Sequence, residues 1–418
     1  MLRRTNLLIL GIAALAACSD DSTPTAVSPS PTVEMDAAGA LSRYVAIGTS
    51  ISMGTQSDGT LGASQKQSWV AQLSNRAESR MSLPLISGTG CRAPFKLPLI
   101  TFQRTSGEPV STPTANLICA PLQEGVRLPA RNVAIAGAST ADAMKTTPET
   151  QPDPFYRKLY ALVLPPQTTQ LGAMSQLAPR FVSVELGANE ILPAVSGVAI
   201  VGVTITPYAT WAPTYRAVVD SVGRVVKKAI LVGLIHDVTT FPGMRHGNEI
   251  WQDRASLLAA FNVAVDSDCN GSANLVFVPA RIPAAVAAGL TNRSKGLPPF
   301  PFTCADSGLT KIDYVLTPQE AGIVNTALAQ YNSEIASVAS QHGFAWFELE
   351  AVYGRPDIKE PFRAVDVMYS ANPYGRFTSA DGIHPSSLGS SVLTDAAVKA
   401  LNATYRLGLP SAAVIAAR

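Results

Sequence analysis

The chain has 418 residues, with 32 basic and 30 acidic side chains and a formal net charge of +2. That balance leaves no basic surplus for nucleic acid or for anionic lipid head groups. No run of about 18 or more uninterrupted apolar residues occurs, so no segment reads as a membrane span.

The N-terminus reads as an address. Arg3 and Arg4 form a basic stretch and Leu7 to Leu15 a short apolar run, the layout of a removable export signal. Leu15-Ala-Ala-Cys18 then resembles the lipobox of bacterial lipoproteins. The resemblance implies cleavage before Cys18, acylation of that residue and attachment of the protein to a membrane. Loss of residues 1–17 removes Arg3 and Arg4 and leaves a formal charge of zero. Residues 18–40, rich in Ser, Thr, Pro, Asp and Ala, read as a lipidated Cys and a flexible tether. Ser19 after the Cys favours the outer over the inner membrane, by resemblance to the enterobacterial sorting rule.

Between 41 and 409 no break in composition marks a second domain, so one enlarged α/β unit is expected, followed by a short tail over 410–418. In chain order the strand signals are Tyr44–Ile47, Asn132–Ala136, Phe181–Leu186, Ala229–Ile235 and Ala345–Glu350, with a further short one at Asn274–Pro279. Helices are expected over Pro213–Lys228, Thr317–His342 and Leu388–Tyr405. In the second, Thr317, Pro318 and Glu320 form a capping box and Gly343 a stop. This alternation predicts a three-layer α/β/α fold around a mostly parallel sheet. Three long insertions, 56–131, 140–180 and 237–343, read as the walls of a pocket.

Four cysteines follow Cys18, namely Cys91, Cys119, Cys269 and Cys304. An even number in an exported chain predicts disulfides with three possible pairings, against the alternative of buried free thiols. Sequential pairing is the simplest, because each pair flanks a Pro-rich stretch. No paired Cys/His spacing suggests a metal site.

Four segments place a polar group just after a strand: Gly48-Thr-Ser50, Gly137, Gly187-Ala-Asn189 and, near the C-terminus, Asp381-Gly-Ile-His384-Pro-Ser. In a parallel sheet such ends converge, and a hydroxyl, a free backbone N–H, a carboxamide and an Asp/His pair are the parts needed for acyl transfer. Their order and content resemble the SGNH (GDSL-type) hydrolase family. The resemblance implies an ester hydrolase with Ser50 as nucleophile, His384 as general base and Asp381 orienting it. The N–H groups of Ser50 and Gly137 and the Asn189 amide would form the oxyanion hole, with no metal or cofactor. Family members usually carry Asp at the positions of Thr49 and Glu190. The G-x-S-x-G elbow of α/β-hydrolases does not occur around Ser50. His236, His246 and His342 read as structural, with His236 at the pocket rim.

A monomer acting on a small-molecule or lipid ester is the expectation. Two rivals remain: a carbohydrate O-deacetylase of the same fold, and a catalytically silent, ligand-binding surface lipoprotein. An apolar tunnel would favour the esterase, and an aromatic, polar groove the deacetylase.

Overall fold

The computed structural model describes residues 37–308 and 310–411. The expected export signal, Cys18 and the expected tether up to residue 36 lie outside them, as do residues 412–418. The last tether positions differ from expectation. Ala37–Ala40 form a short helix and Ala40 is buried, because the turn leads straight into the first strand and its methyl groups join the core.

A four-stranded parallel sheet runs in the order Tyr44–Gly48, Phe181–Glu185, Lys228–Gly233 and Ala345–Glu348. The first two strands are buried at every position, as expected where helices cover both faces. The segment expected as a strand at 132–136 runs parallel along the outer side of the first strand. Val133 N donates to Ala46 O at 2.9 Å and Ile135 N to Gly48 O at 3.0 Å. These bonds lie on one side only, and the sole formal bridge is Ala46 with Asn132, so it is an edge segment rather than a full strand.

The helix Pro318–His342 starts at the expected capping box, with the Thr317 side chain accepting from Glu320 N at 3.2 Å, and ends at Gly343. The last helix, Ser387–Tyr405, is capped by Ser386. The helix expected to begin at Pro213 starts earlier, at Tyr208, and runs to Val225 with Pro213 inside it. Packing outweighs the missing N–H: Trp211 in the added turn stacks on Tyr331 at 3.7 Å and donates to Thr140 Oγ1 at 2.9 Å.

The third insertion carries a small antiparallel sheet, Met244–His246, Leu275–Phe277 and Val315–Leu316. Side chains alternate along a strand, and here the two faces serve two cores. Met244, Leu275, Phe277 and Leu316 join the main core, whereas Val276 and Val315 join a second cluster with Ile250, Leu257 and Phe302. The cysteines pair sequentially, Cys91 with Cys119 and Cys269 with Cys304, and the second bridge is enclosed in the second core.

Candidate active site

Ser50 lies at the carboxyl end of the first strand and opens a single helical turn, Ser50–Met53, closed by Gly54 at φ 89°. The turn is tight. A Cβ on Gly48 would sit 2.9 Å from Ser52 Oγ and 3.0 Å from Glu185 O, so only glycine fits there. The brace comes from the neighbouring strand: Glu185 Oε2 accepts from Thr49 N at 3.0 Å and Ser52 N at 3.2 Å, and Oε1 from Thr49 Oγ1 at 2.7 Å. Burial pushes the Glu185 carboxyl above its ordinary pKa, and these bonds offset only part of that. Asn132 also donates from Nδ2 to Ser52 O at 2.8 Å.

Asp381 and His384 form a close pair, with Nδ1 2.7 Å from Oδ2. The carboxylate is saturated with donors. Oδ1 accepts from the backbone N–H groups of Ile383 and His384, both at 2.9 Å, and from Ser379 Oγ at 3.1 Å. Oδ2 also accepts from Asp58 N at 2.6 Å. Burial works against ionisation of Asp381, but the imidazole charge and these bonds hold its pKa down at about 2. Burial likewise depresses His384, yet the facing carboxylate outweighs it and leaves the ring above its ordinary value. The geometry fixes the Nδ1–H tautomer and turns Nε2 away from Asp381. Among the described residues no hydrogen bond joins Ser50 Oγ to that ring, which is common before substrate binds. The two side chains nevertheless line the same two cavities.

Gly137 has φ 79°, and a Cβ there would meet the Tyr156 ring at 2.7 Å, so glycine is required twice over. Asn189 donates one amide proton to Ala138 O at 2.8 Å, which orients the carboxamide and leaves its second N–H free for a ligand. Glu190 reaches the same loop, accepting from Thr140 N at 2.6 Å. Among the described residues the N–H groups of Ser50 and Gly137 have no protein acceptor. Ser50, Gly137, Asn189 and His384 all line one cavity.

Residues 44–397 match the GDSL-like Lipase/Acylhydrolase family. The chain belongs to that family. All four catalytic-type segments of this GDSL-like hydrolase fall inside the matched span, and the enzyme is an SGNH ester hydrolase. Among solved structures, it is similar to Axe2, an acetylxylan esterase from Geobacillus stearothermophilus, at 10% identity and TM-score 0.34, over 86% of this chain and 93% of that one. It is also similar to an extracellular lipase from Streptomyces rimosus, at 13% identity and TM-score 0.30, over 86% and 98% of the two chains. A third is LAE5, an alpha/beta hydrolase enzyme from the metagenome of Lake Arreo, Spain, at 12% identity and TM-score 0.35, over 88% and 96%. No curated protein matches the chain.

Two cavities of the GDSL-like hydrolase meet at Ser50. One, of about 90 Å³, is apolar and runs between Leu192, Leu234, Val238, Phe241, Leu316 and Leu328. The other, of about 200 Å³, is lined by Thr55, Asp58, Thr60, Arg92 and Tyr156 as well as Gly137. His236 lines neither; it pairs with Glu348 at 3.0 Å. His342 pairs with Asp220 at 3.0 Å, and His246 Nδ1 lies 3.1 Å from Ala273 O.

Sequence reasoning missed Glu185, Asp58 and Arg92. Glu185 did leave a signal, an acid ending the apolar run Phe181-Val-Ser-Val. Asp58 and Arg92 left none, since their neighbours at the site are remote in the chain.

Proposed function

We propose that the enzyme is an exported, lipid-anchored carboxylic ester hydrolase that cleaves esters of extended acyl chains through an acyl-Ser50 intermediate. In this reading His384 Nε2 takes the Ser50 proton as the hydroxyl attacks the ester carbonyl. The developing oxyanion is met by the N–H groups of Ser50 and Gly137 and by the second Asn189 amide proton. His384 then gives its proton to the leaving alkoxide, and a water activated by the same ring releases the acid. Asp381 holds the ring in its tautomer and stabilises the imidazolium without taking the proton.

The observation that carries the substrate class is the apolar cavity opening at Ser50. Its lining of Leu192, Leu234, Val238, Phe241, Leu316 and Leu328 offers an acyl chain apolar contact, and each methylene moved from water into such a site is worth about 0.8 kcal/mol. This favours an acyl chain longer than acetyl and counts against the O-deacetylase. The completeness of the Ser50, His384 and Asp381 set counts against a silent binding protein.

A series of p-nitrophenyl esters from acetate upward tests the proposal. kcat/KM should rise with chain length, and Leu234→Trp, which fills the apolar cavity, should flatten that rise. A preference for acetate that Leu234→Trp leaves intact would refute it. Export and anchoring rest on the N-terminal sequence. Fatty-acid labelling should be lost in Cys18→Ser, and retained labelling would remove the anchor from the proposal.

A further inference from the structure

The polar cavity carries a charge that hydrolysis itself does not require. Its wall joins two remote segments, with Cys91 N donating to Thr60 O at 2.8 Å and Thr60 N to Cys91 O at 3.2 Å. Ser57, Asp58 and Arg92 beside this junction all take left-handed backbone, at φ 52°, 62° and 54°. Three non-glycine residues so placed are held by their surroundings: Asp58 N by Asp381, Ser57 N by Ser379 Oγ at 2.8 Å, and Arg92 N by Ile118 O at 3.2 Å. The backbone is therefore locked so that the Arg92 side chain faces the cavity.

Asp58 is shared by two cations. Its Oδ2 accepts from Arg104 Nη2 at 2.7 Å, and its Oδ1 is ion-paired with Arg92 Nη1 at 3.0 Å. The Arg104 side chain is 2% exposed; its Nη1 donates to the carbonyls of Ala93 and Asp58, while its Nε has no acceptor. Arg92 is 29% exposed, lines the cavity, and has an enclosed Nε with no acceptor. Asp58 is the one carboxylate paired with both guanidiniums, and of the two arginines Arg92 is the one in the cavity lining. Tyr156 lines the same cavity, and its hydroxyl has no protein partner among the described residues.

We propose that Arg92, together with the Tyr156 hydroxyl, forms an anion site for the alcohol half of the ester, so that preferred substrates carry a phosphate on the leaving alcohol. This rests on the esterase reading. The acyl chain would occupy the apolar cavity and the alcohol the polar one, with the scissile carbonyl between them at Ser50. A guanidinium suits the task because its planar fork can hold Asp58 with one edge and a phosphate with another. The phosphate could belong to a soluble monoester or to a diester in a lipid head group. The chemistry at Arg92 is the same for both.

The test uses the full-length protein and three soluble esters with one octanoyl chain: on glycerol, on glycerol phosphate and on glycerophosphocholine. The expected result is that kcat/KM for at least one phosphate-bearing ester exceeds that for the glycerol ester by about tenfold or more. That ratio should collapse in Arg92→Gln, survive in part in Arg92→Lys, and fall by a smaller factor in Tyr156→Phe. A ratio within one preparation is unaffected by a loss of folded protein, so an unstable variant still reports. Preference for the monoester would assign the site to soluble phosphates, and preference for the diester to lipid head groups. A wild-type ratio near one, or a ratio unchanged in Arg92→Gln, overturns the anion site while leaving the esterase reading intact. Failure to hydrolyse any of the three, or the p-nitrophenyl series, overturns both.

Discussion

Substituting Glu185 separates the two things that this buried carboxyl contributes, its hydrogen-bond acceptors and its charge. In Glu185→Gln the amide oxygen takes the place of Oε2 and keeps the bonds from Thr49 N and Ser52 N. The amide nitrogen then faces Thr49 Oγ1, which turns to accept rather than donate. Glu185→Ala strands two backbone N–H groups and a hydroxyl in a site that is 2% exposed. At about 1 kcal/mol or more for each stranded donor, the alanine variant should be roughly 3–5 kcal/mol less stable than the glutamine variant. Against wild type the sign depends on pH. The folded pKa of Glu185 is raised, so its contribution to stability is fully present at acid pH and is lost as pH rises from the ordinary carboxylate value through the raised one. Glutamine cannot ionise, so Glu185→Gln should gain on wild type over that interval and be at least as stable at neutral pH. Thermal unfolding of all three proteins from pH 4 to 8, with p-nitrophenyl ester turnover alongside, measures this. Turnover should persist in Glu185→Gln and fall in Glu185→Ala, where the Ser50 turn has lost its brace. Equal stability of the two variants, or a difference between Gln and wild type that shrinks as pH rises, would refute the assignment of this brace.

Ser50→Ala should abolish hydrolysis with a stability change under about 1 kcal/mol, and an organophosphonate should label Ser50 alone, read by peptide mass spectrometry. Asn189→Ala should lower kcat by about 10²–10³ with little change in KM, measured by steady-state kinetics. In the proposed mechanism His384 must be neutral to act as base, and its pKa is raised by Asp381, so the acid limb of the kcat/KM profile should lie above the ordinary histidine value. Asp381→Asn removes that charge, so the limb should move to lower pH while the plateau drops. Reducing Cys91–Cys119 frees the segment that carries Arg92, and the preference for phosphate-bearing esters should weaken before hydrolysis of neutral ones does.

Much of the fold was legible because its signals are local. The apolar runs at Tyr44, Phe181 and Ala229 mark strands by composition, and the Thr317–Glu320 box and Gly343 bound a helix through groups only a few residues apart. Pro213 misled for the same reason, since the local rule against proline gave way to a stack between Trp211 and Tyr331 that no nearby residue announces. The site divides in the same way. Ser50, Gly137, Asn189 and His384 could be read because each sits at a strand end or in a short string with its own spacing. Asp58 could not: its backbone N–H reaches Asp381, 323 residues away, and only the folded chain brings them together. Glu185 lies between these cases. It is visible as a charge at the end of a buried strand, but its partners follow from the parallel register that sets Glu185 beside Gly48.

The small antiparallel sheet of the third insertion bears on how such an enzyme can change. Leu316 looks into the apolar cavity while its neighbour Val315 looks into the separate, disulfide-containing core. A substitution at the cavity wall is therefore backed by the second core, which reaches Asp381 through its neighbour Ala380, whereas Ser50 stands at the end of the parallel sheet. Remodelling the wall through Leu316 bears first on that core. Variation in the wall can then accumulate in the insertion while the turn that holds Ser50 stays fixed.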